Sequence, residues 1–227
     1  MKRVFFLMGI LAVVLLAANN LHAFTFDGPQ ALDDWTEAFV RGNFTSTPSG
    51  AQMQLVVNGS GEQGYGYGIR YKVFSNAIGI MATFNVSSLG GYMFVGLGRY
   101  LGTTAAGNLI QAQIYLDTWG GYNRIYYWVR ERTTERETVR ILAEGNLGAD
   151  SGGLWTVSQN VTLGFARLGD DIYFYTPGNG AYVIVRPFET MGAVSDSDHP
   201  HYILGYASSG EENYLTATVS EVNMIYP

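Results

Sequence analysis

Cysteine is missing from the chain altogether, so neither a disulfide nor a thiolate-held metal supports its fold. Lysine is almost as scarce: past Lys2 the only one is Lys72. Acidic residues outnumber basic ones, 19 against 13, for a formal net charge of −6, and this balance excludes nucleic acid as a partner, because the phosphate backbone recruits cationic surfaces. Long hydrophobic runs are also few. One stands at the start, Val4 to Ala18, preceded by Lys2 and Arg3 and followed by Leu21-His22-Ala23 with its small terminal residue. It is shorter than the roughly 20 residues a bilayer requires and has the layout of a secretory signal peptide. Residues 1–23 are therefore expected to be a signal peptide, and 24–227 a single secreted or periplasmic domain with no membrane span once the leader is removed. The missing cysteine excludes a lipid-anchored leader and favours a bacterial source over a eukaryotic secreted one.

A sustained helical period is absent as well. Alternation with period two recurs instead from end to end. Met53, Leu55 and Val57 share one face of a run, and so do Tyr65, Tyr67, Ile69, Tyr71 and Val73, with Gly66 and Gly68 between them. Ile78, Ile80, Ala82, Phe84 and Val86 follow, then Tyr92 to Arg99, Val139 to Ala143, Val161 to Phe165, Ile172 to Tyr175, Tyr182 to Arg186, Tyr202 to Ala207 and Tyr214 to Tyr226. Glycine-rich clusters such as Asn58-Gly59-Ser60-Gly61 and Ser88-Leu89-Gly90-Gly91 punctuate these runs. About a dozen short strands joined by turns predict an all-β, two-sheet antiparallel sandwich. A short turn around Gly28 to Trp35 is the only helix-like stretch.

The densest chemistry lies between residues 110 and 132. Ile110, Ala112, Ile114 and Leu116 alternate with Gln111, Gln113, Tyr115 and Asp117, and Ile125, Tyr127 and Val129 alternate with Arg124, Tyr126, Trp128, Arg130 and Arg132. Burying the polar set unpaired would cost several kcal/mol per group, so the aliphatic set is expected to face the core. A sheet face of rings beside amides, a carboxylate and guanidinium groups suits sugars. Gln111, Gln113, Tyr115, Asp117, Arg124, Tyr126, Trp128 and Arg130 are thus the predicted ligand-binding residues, with Trp119 and Tyr122 extending the platform or pinning the turn. The arginines tilt the expected partner towards an anionic polysaccharide.

The order of these landmarks resembles the concanavalin A-like lectin/glucanase superfamily, and within it the bacterial laminin-G-like jelly rolls. The likeness rests on Phe26-Asp27-Gly28 and Leu32-Asp33-Asp34-Trp35 at the start and Val95-Gly96-Leu97-Gly98 before the 110–132 pair. Trp155-Thr156-Val157, the Ala166 to Tyr175 hairpin and the closing Ala217 to Val222 complete it. The resemblance implies a jelly roll whose concave sheet holds the ligand. Its β-glucan-cleaving members carry two glutamates flanking an aspartate on one strand; Glu131, Glu135 and Glu137 instead surround a Thr133-Thr134 turn with no aspartate among them. Its alginate lyases carry a Gln-Ile-His strand, and Gln113-Ile114-Tyr115 puts tyrosine in the histidine position. With both signatures broken, the expected function is a secreted, non-catalytic polysaccharide-binding domain and not an enzyme. The alternatives are a structural or adhesive surface protein, then a divergent lyase or glycoside hydrolase. The resemblance also implies a structural calcium, for which Asp27, Asp33, Asp34 and Glu221 are weak candidates. Asp196, Asp198, His199 and His201, in one polar stretch, are weak candidates for a metal of either hard or borderline type.

Overall fold

The computed structural model describes residues 25–60, 64–133, 135, 137–147, 155–177, 181–187 and 200–227. The expected signal peptide and Asp196, Asp198 and His199 lie outside them. Among the described residues there are 15 strands and no α-helix. None of their elements is a helix long and apolar enough to cross a membrane.

Two antiparallel sheets face each other. The seven-stranded sheet runs β10 (Thr138–Asn146), β9 (Tyr122–Arg132), β8 (Leu109–Trp119), β7 (Met93–Thr103), β14 (His201–Ala207), β5 (Gly66–Lys72) and β2 (Thr36–Arg41). The eight-stranded sheet runs β13 (Ala181–Val185), β12 (Asp171–Thr176), β11 (Asn160–Leu168), β6 (Gly79–Gly90), β15 (Tyr214–Tyr226), β4 (Gln52–Asn58) and β3 (Asn43–Ser49), with β1 (Thr25–Asp27) paired to the end of β15. This is the predicted sandwich.

The core between the sheets is made by the alternation. From one side come Val95, Leu97, Ile110, Ala112, Ile114, Leu116, Ile125 and Val129, and from the other Leu55, Val57, Ile80, Ala82, Phe84, Leu163, Phe165 and Phe174, all buried. The aliphatic side of the 110–132 pair does face inward. On β15 the parity changes partway: Leu215, Ala217 and Val219 face the core, and then so do Val222 and Met224. A register shift between Ser220 and Asn223, with Glu221 at φ 51°, absorbs the extra residue and keeps the strand's second half apolar side in.

Leu32 to Trp35 forms the expected turn, with the Trp35 amide donating to the Leu32 carbonyl at 3.2 Å and both side chains buried. One detail departs from expectation for a packing reason. On β5 it is the glycines that face inward. A Cβ on Gly68 would lie 2.3 Å from the Phe44 ring, so the core volume there is filled from β3, and Tyr67, Ile69 and Tyr71 turn outward.

Candidate functional site

The outer face of the seven-stranded sheet collects every ligand residue expected from the sequence. Cross-strand register joins Gln111 to Arg130, Gln113 to Trp128, Tyr115 to Tyr126 and Asp117 to Arg124, so all eight share this face. Their access to solvent differs. Gln111, Gln113, Tyr115, Asp117 and Trp128 are all within 5 % exposure, whereas Arg124, Tyr126 and Arg130 are half-buried.

The buried five form a fixed floor. The side-chain amides of Gln111 and Gln113 both donate to the hydroxyl of Tyr202 on β14, and the Gln111 oxygen accepts from Arg132 at 3.2 Å. Asp117 accepts two parallel bonds from Arg124, at 2.7 and 2.8 Å, the geometry that makes a guanidinium–carboxylate pair strong. Burial pushes the Asp117 carboxyl up from its ordinary value while the Arg124 bonds pull it down. Arg130 lies 4.5 Å over the Trp128 ring, which accounts for the ring's small exposure.

Above that floor, the strand that sequence reasoning left out completes the arrangement. On β10, Glu144 pairs in register with Trp128 and so projects from the same face. Its carboxylate accepts from Arg130 at 3.5 Å and lies near enough to the Tyr126 hydroxyl to raise the phenol. Burial first, then the Glu144 bond and charge, push the Tyr126 phenol up to about 12, against the opposing pull of Arg124 and Arg130. The Arg124 guanidinium sits 4.5 Å over the Tyr126 ring. On the strands of this face, among the described residues, Asp117 is the sealed carboxylate and Glu144 the accessible one. The signal for Glu144 was its place opposite the apolar Ile141 and Ala143 alternation on the next strand, which names a face but not a register.

The other acidic candidates go elsewhere. Glu131 points inward at the sheet end, where Asn108 donates to it and Arg140 pairs with it, each at 2.7 Å, holding its carboxyl below the usual range. Glu135 and Glu137 are exposed in the β9–β10 turn. Asp33 accepts from the Gly50 amide at 2.9 Å, Asp34 pairs with Lys72 and Glu221 accepts from Thr83. Among the described residues no three histidine, aspartate or glutamate side chains come together as a metal-binding group. His201 faces inward beside Phe74, fully buried, with neither ring nitrogen hydrogen-bonded.

No family model and no curated protein matches the sequence. Solved structures do match. The chain is similar to a GlcNAcα1-4Gal-releasing endo-β-galactosidase from Clostridium perfringens, at TM-score 0.61 and 8 % identity, over 92 % of this chain and 63 % of that one. It is similar to a mixed-linkage glucan GH16 protein of Bacteroides ovatus in complex with its product, at TM-score 0.58 and 10 % identity, over 88 % of this chain and 99 % of that one. A β-glucanase of Bacillus licheniformis matches at TM-score 0.52 and 13 % identity, over 90 % of this chain and 99 % of that one. The chain thus has the jelly-roll fold of the concanavalin A-like lectin/glucanase superfamily, as its landmarks suggested. The expectation of a non-catalytic binding domain, and of no enzyme, is corrected: the solved structures that match over most of this chain include an endo-β-galactosidase and a β-glucanase. That expectation rested on two broken signatures, the acidic pair and the lyase histidine, and it did not weigh Glu144 on the neighbouring strand.

Proposed function

We propose that this chain is a carbohydrate-cleaving enzyme whose substrate is a polysaccharide held across the outer face of the seven-stranded sheet, with Tyr126 and Glu144 carrying the chemistry. The observation behind this reading is that Glu144, held by Arg130 at 3.5 Å, shares the open face with Tyr126 and lies near enough to raise its phenol. A nucleophile beside its base, with a third group holding the base, is the minimal arrangement for covalent catalysis. It differs from the two-carboxylate pair separated by about 5 Å of most retaining glycosidases, and a tyrosine nucleophile is the attested exception.

In this scheme the Tyr126 oxygen attacks the anomeric carbon as its proton passes to Glu144, and the bond to the leaving sugar oxygen breaks. Water at the exposed β10 edge protonates that oxygen. A second water, giving a proton to the hydroxide that the first one left, then frees the sugar from the phenol, and the proton on Glu144 returns to Tyr126. The raised phenol value keeps Tyr126 neutral at rest, so its proton moves only as the bond to carbon forms. A neutral nucleophile between Arg124 and Arg130, with the Glu144 charge paired to Arg130, also suits a sugar bearing its own negative charge. The substrate class is therefore an anionic polysaccharide, and the export expected from the leader would bring the enzyme to it.

The test is reducing-end release from a panel of neutral and anionic polysaccharides. Cleavage of one or more anionic polymers, reduced at least about 100-fold in Glu144→Gln and in Tyr126→Phe, is the expected result. A folded protein that cleaves none of them sinks the reading.

A further inference from the structure

Beyond Arg124 the β8–β9 hairpin ends in a feature the scheme above does not use. Trp119 and Tyr122 form its last cross-strand pair, joined by Gly120 and Gly121 at φ 62° and 82°. A two-residue turn with both φ values positive matches the right-handed strand twist, so the tip is tight and projects as a unit. Its two rings are the most exposed large hydrophobic side chains among the described residues, Trp119 at 57 % and Tyr122 at 65 %. Register puts them on the outer face, in line with Arg124 and Tyr126.

Trp119 is held in place. Tyr92 meets it edge-on at 5.1 Å, and the Arg124 guanidinium lies 5.7 Å from its ring centre. Arg124 is neutralised by Asp117, so the ring stands over a closed ion pair and offers no net charge. Single exposed aromatics need no explanation, but a pair fixed on a rigid hairpin end, continuous with a row of rings leading to Tyr126, is a preorganised apolar platform. Stacking on the C–H face of a pyranose is what such a platform does best.

We propose that Trp119 and Tyr122 form a remote stacking subsite for a sugar ring of the same glycan chain. The inference rests on the outer face being a glycan-cleaving site. Tyr122 to Tyr126 spans about 13 Å along the strand, so a substrate must be an oligosaccharide or longer to reach both points. The subsite reads ring shape and not charge, whereas Arg130 at the other side of Tyr126 reads charge. Trp119 therefore sets a preference for long chains.

Tryptophan emission tests this directly, because Trp35, Trp128 and Trp155 are buried and Trp119 alone is exposed. In the Glu144→Gln protein, iodide quenching should report Trp119. Oligogalacturonides and cello-oligosaccharides, from disaccharide to octasaccharide, are the probes. Protection from iodide and a blue-shifted emission with an octasaccharide of either series, weaker with the disaccharides and absent in Trp119→Ala, is the expected result. In the unaltered active site, Trp119→Ala should lower kcat/KM on a long cleaved chain about 10-fold relative to the shortest one, with Trp119→Tyr restoring most of it. Cleavage that leaves Trp119 equally quenchable by iodide and equally indifferent to chain length overturns the subsite alone. Protection of Trp119 without cleavage of any polymer overturns the enzyme reading and leaves the subsite standing. Quenching unchanged by every probe, without cleavage, overturns both.

Discussion

The outer face of the seven-stranded sheet divides into two halves built on the same alternation. Over β7, β14 and β5 the rings close on themselves: Tyr202, Leu204 and Ile69 are buried under Tyr67, Tyr71, Phe94 and Tyr100. Over β8, β9 and β10 the same positions carry Arg124, Tyr126, Arg130 and Glu144, and these stay partly open. Glycine makes much of the difference. A Cβ on Gly98 would lie 2.2 Å from the Tyr202 ring, so the bare backbone of β7 lets that ring lie flat and roof the sheet. In the open half the floor is made by Gln111, Gln113, Tyr115, Asp117 and Trp128, and above it the long side chains of Arg124, Arg130 and Glu144 pair with Asp117 and with one another. Exposure on this face is thus decided by the neighbouring strand, which is why a strand's own sequence does not display it.

The largest effect separating the halves should be catalytic. Glu144→Gln is expected to cost about 10²- to 10⁴-fold in turnover while the denaturant midpoint stays close to that of the unaltered chain, because Glu144 is exposed on an edge strand. Turnover measured beside urea unfolding decides it, and a loss of stability in step with activity would place Glu144 in the framework instead. Next comes Arg124→Met. It leaves Asp117 buried and charged without its partner, for an expected loss of about 3 kcal/mol in unfolding free energy. If urea melts show less than about 1 kcal/mol, water reaches Asp117 and the floor is not sealed there.

How much of this was legible in the sequence follows the same division. Strand alternation named the sandwich, the inward side of the 110–132 pair and the shared face of all eight candidate residues, because each of those is a property of one strand or one tight hairpin. Tyr202 was invisible as the acceptor for Gln111 and Gln113, lying some 90 residues on in the chain, on β14. The outward turn of Tyr67, Ile69 and Tyr71 was equally hidden, since only Phe44 on β3 explains why glycine belongs inside. Glu144 was read past because a register shift between Ile141 and Ala143 sets which β10 residue meets Trp128, and a bulge leaves no clear mark in the alternation. Acidic motifs were sought along one strand, whereas the proposed pair is split between two.

A smaller effect probes the closed half. Tyr202→Phe keeps the ring over Gly98 but removes the acceptor for two buried amide groups, and the expected loss is about 2 kcal/mol. Guanidinium unfolding checks the size, and the cleavage rate per folded molecule should change far less than in Glu144→Gln. A change as large in rate would mean that the two halves act as one site.

The smallest expected effect comes from the residue beside Tyr202. Adjacent positions on β14 face opposite ways, so Tyr202 lies outside with its hydroxyl bonded and His201 lies inside with neither ring nitrogen hydrogen-bonded. Burial and the Arg99 charge hold the His201 imidazole well below its ordinary value, and its register partners Arg99 and Lys72 add no anion. The folded protein therefore keeps His201 neutral where the unfolded chain takes up a proton. Stability from this group is complete above about pH 6.5 and declines as the pH falls below it, by at most about 1.4 kcal/mol per pH unit. His201→Met should flatten that part of the profile without touching the outer face. Urea melts at successive pH values between neutrality and mild acid measure it, and an unchanged slope in the variant would assign the acid sensitivity to carboxyls held below their ordinary value, Glu131 first among them.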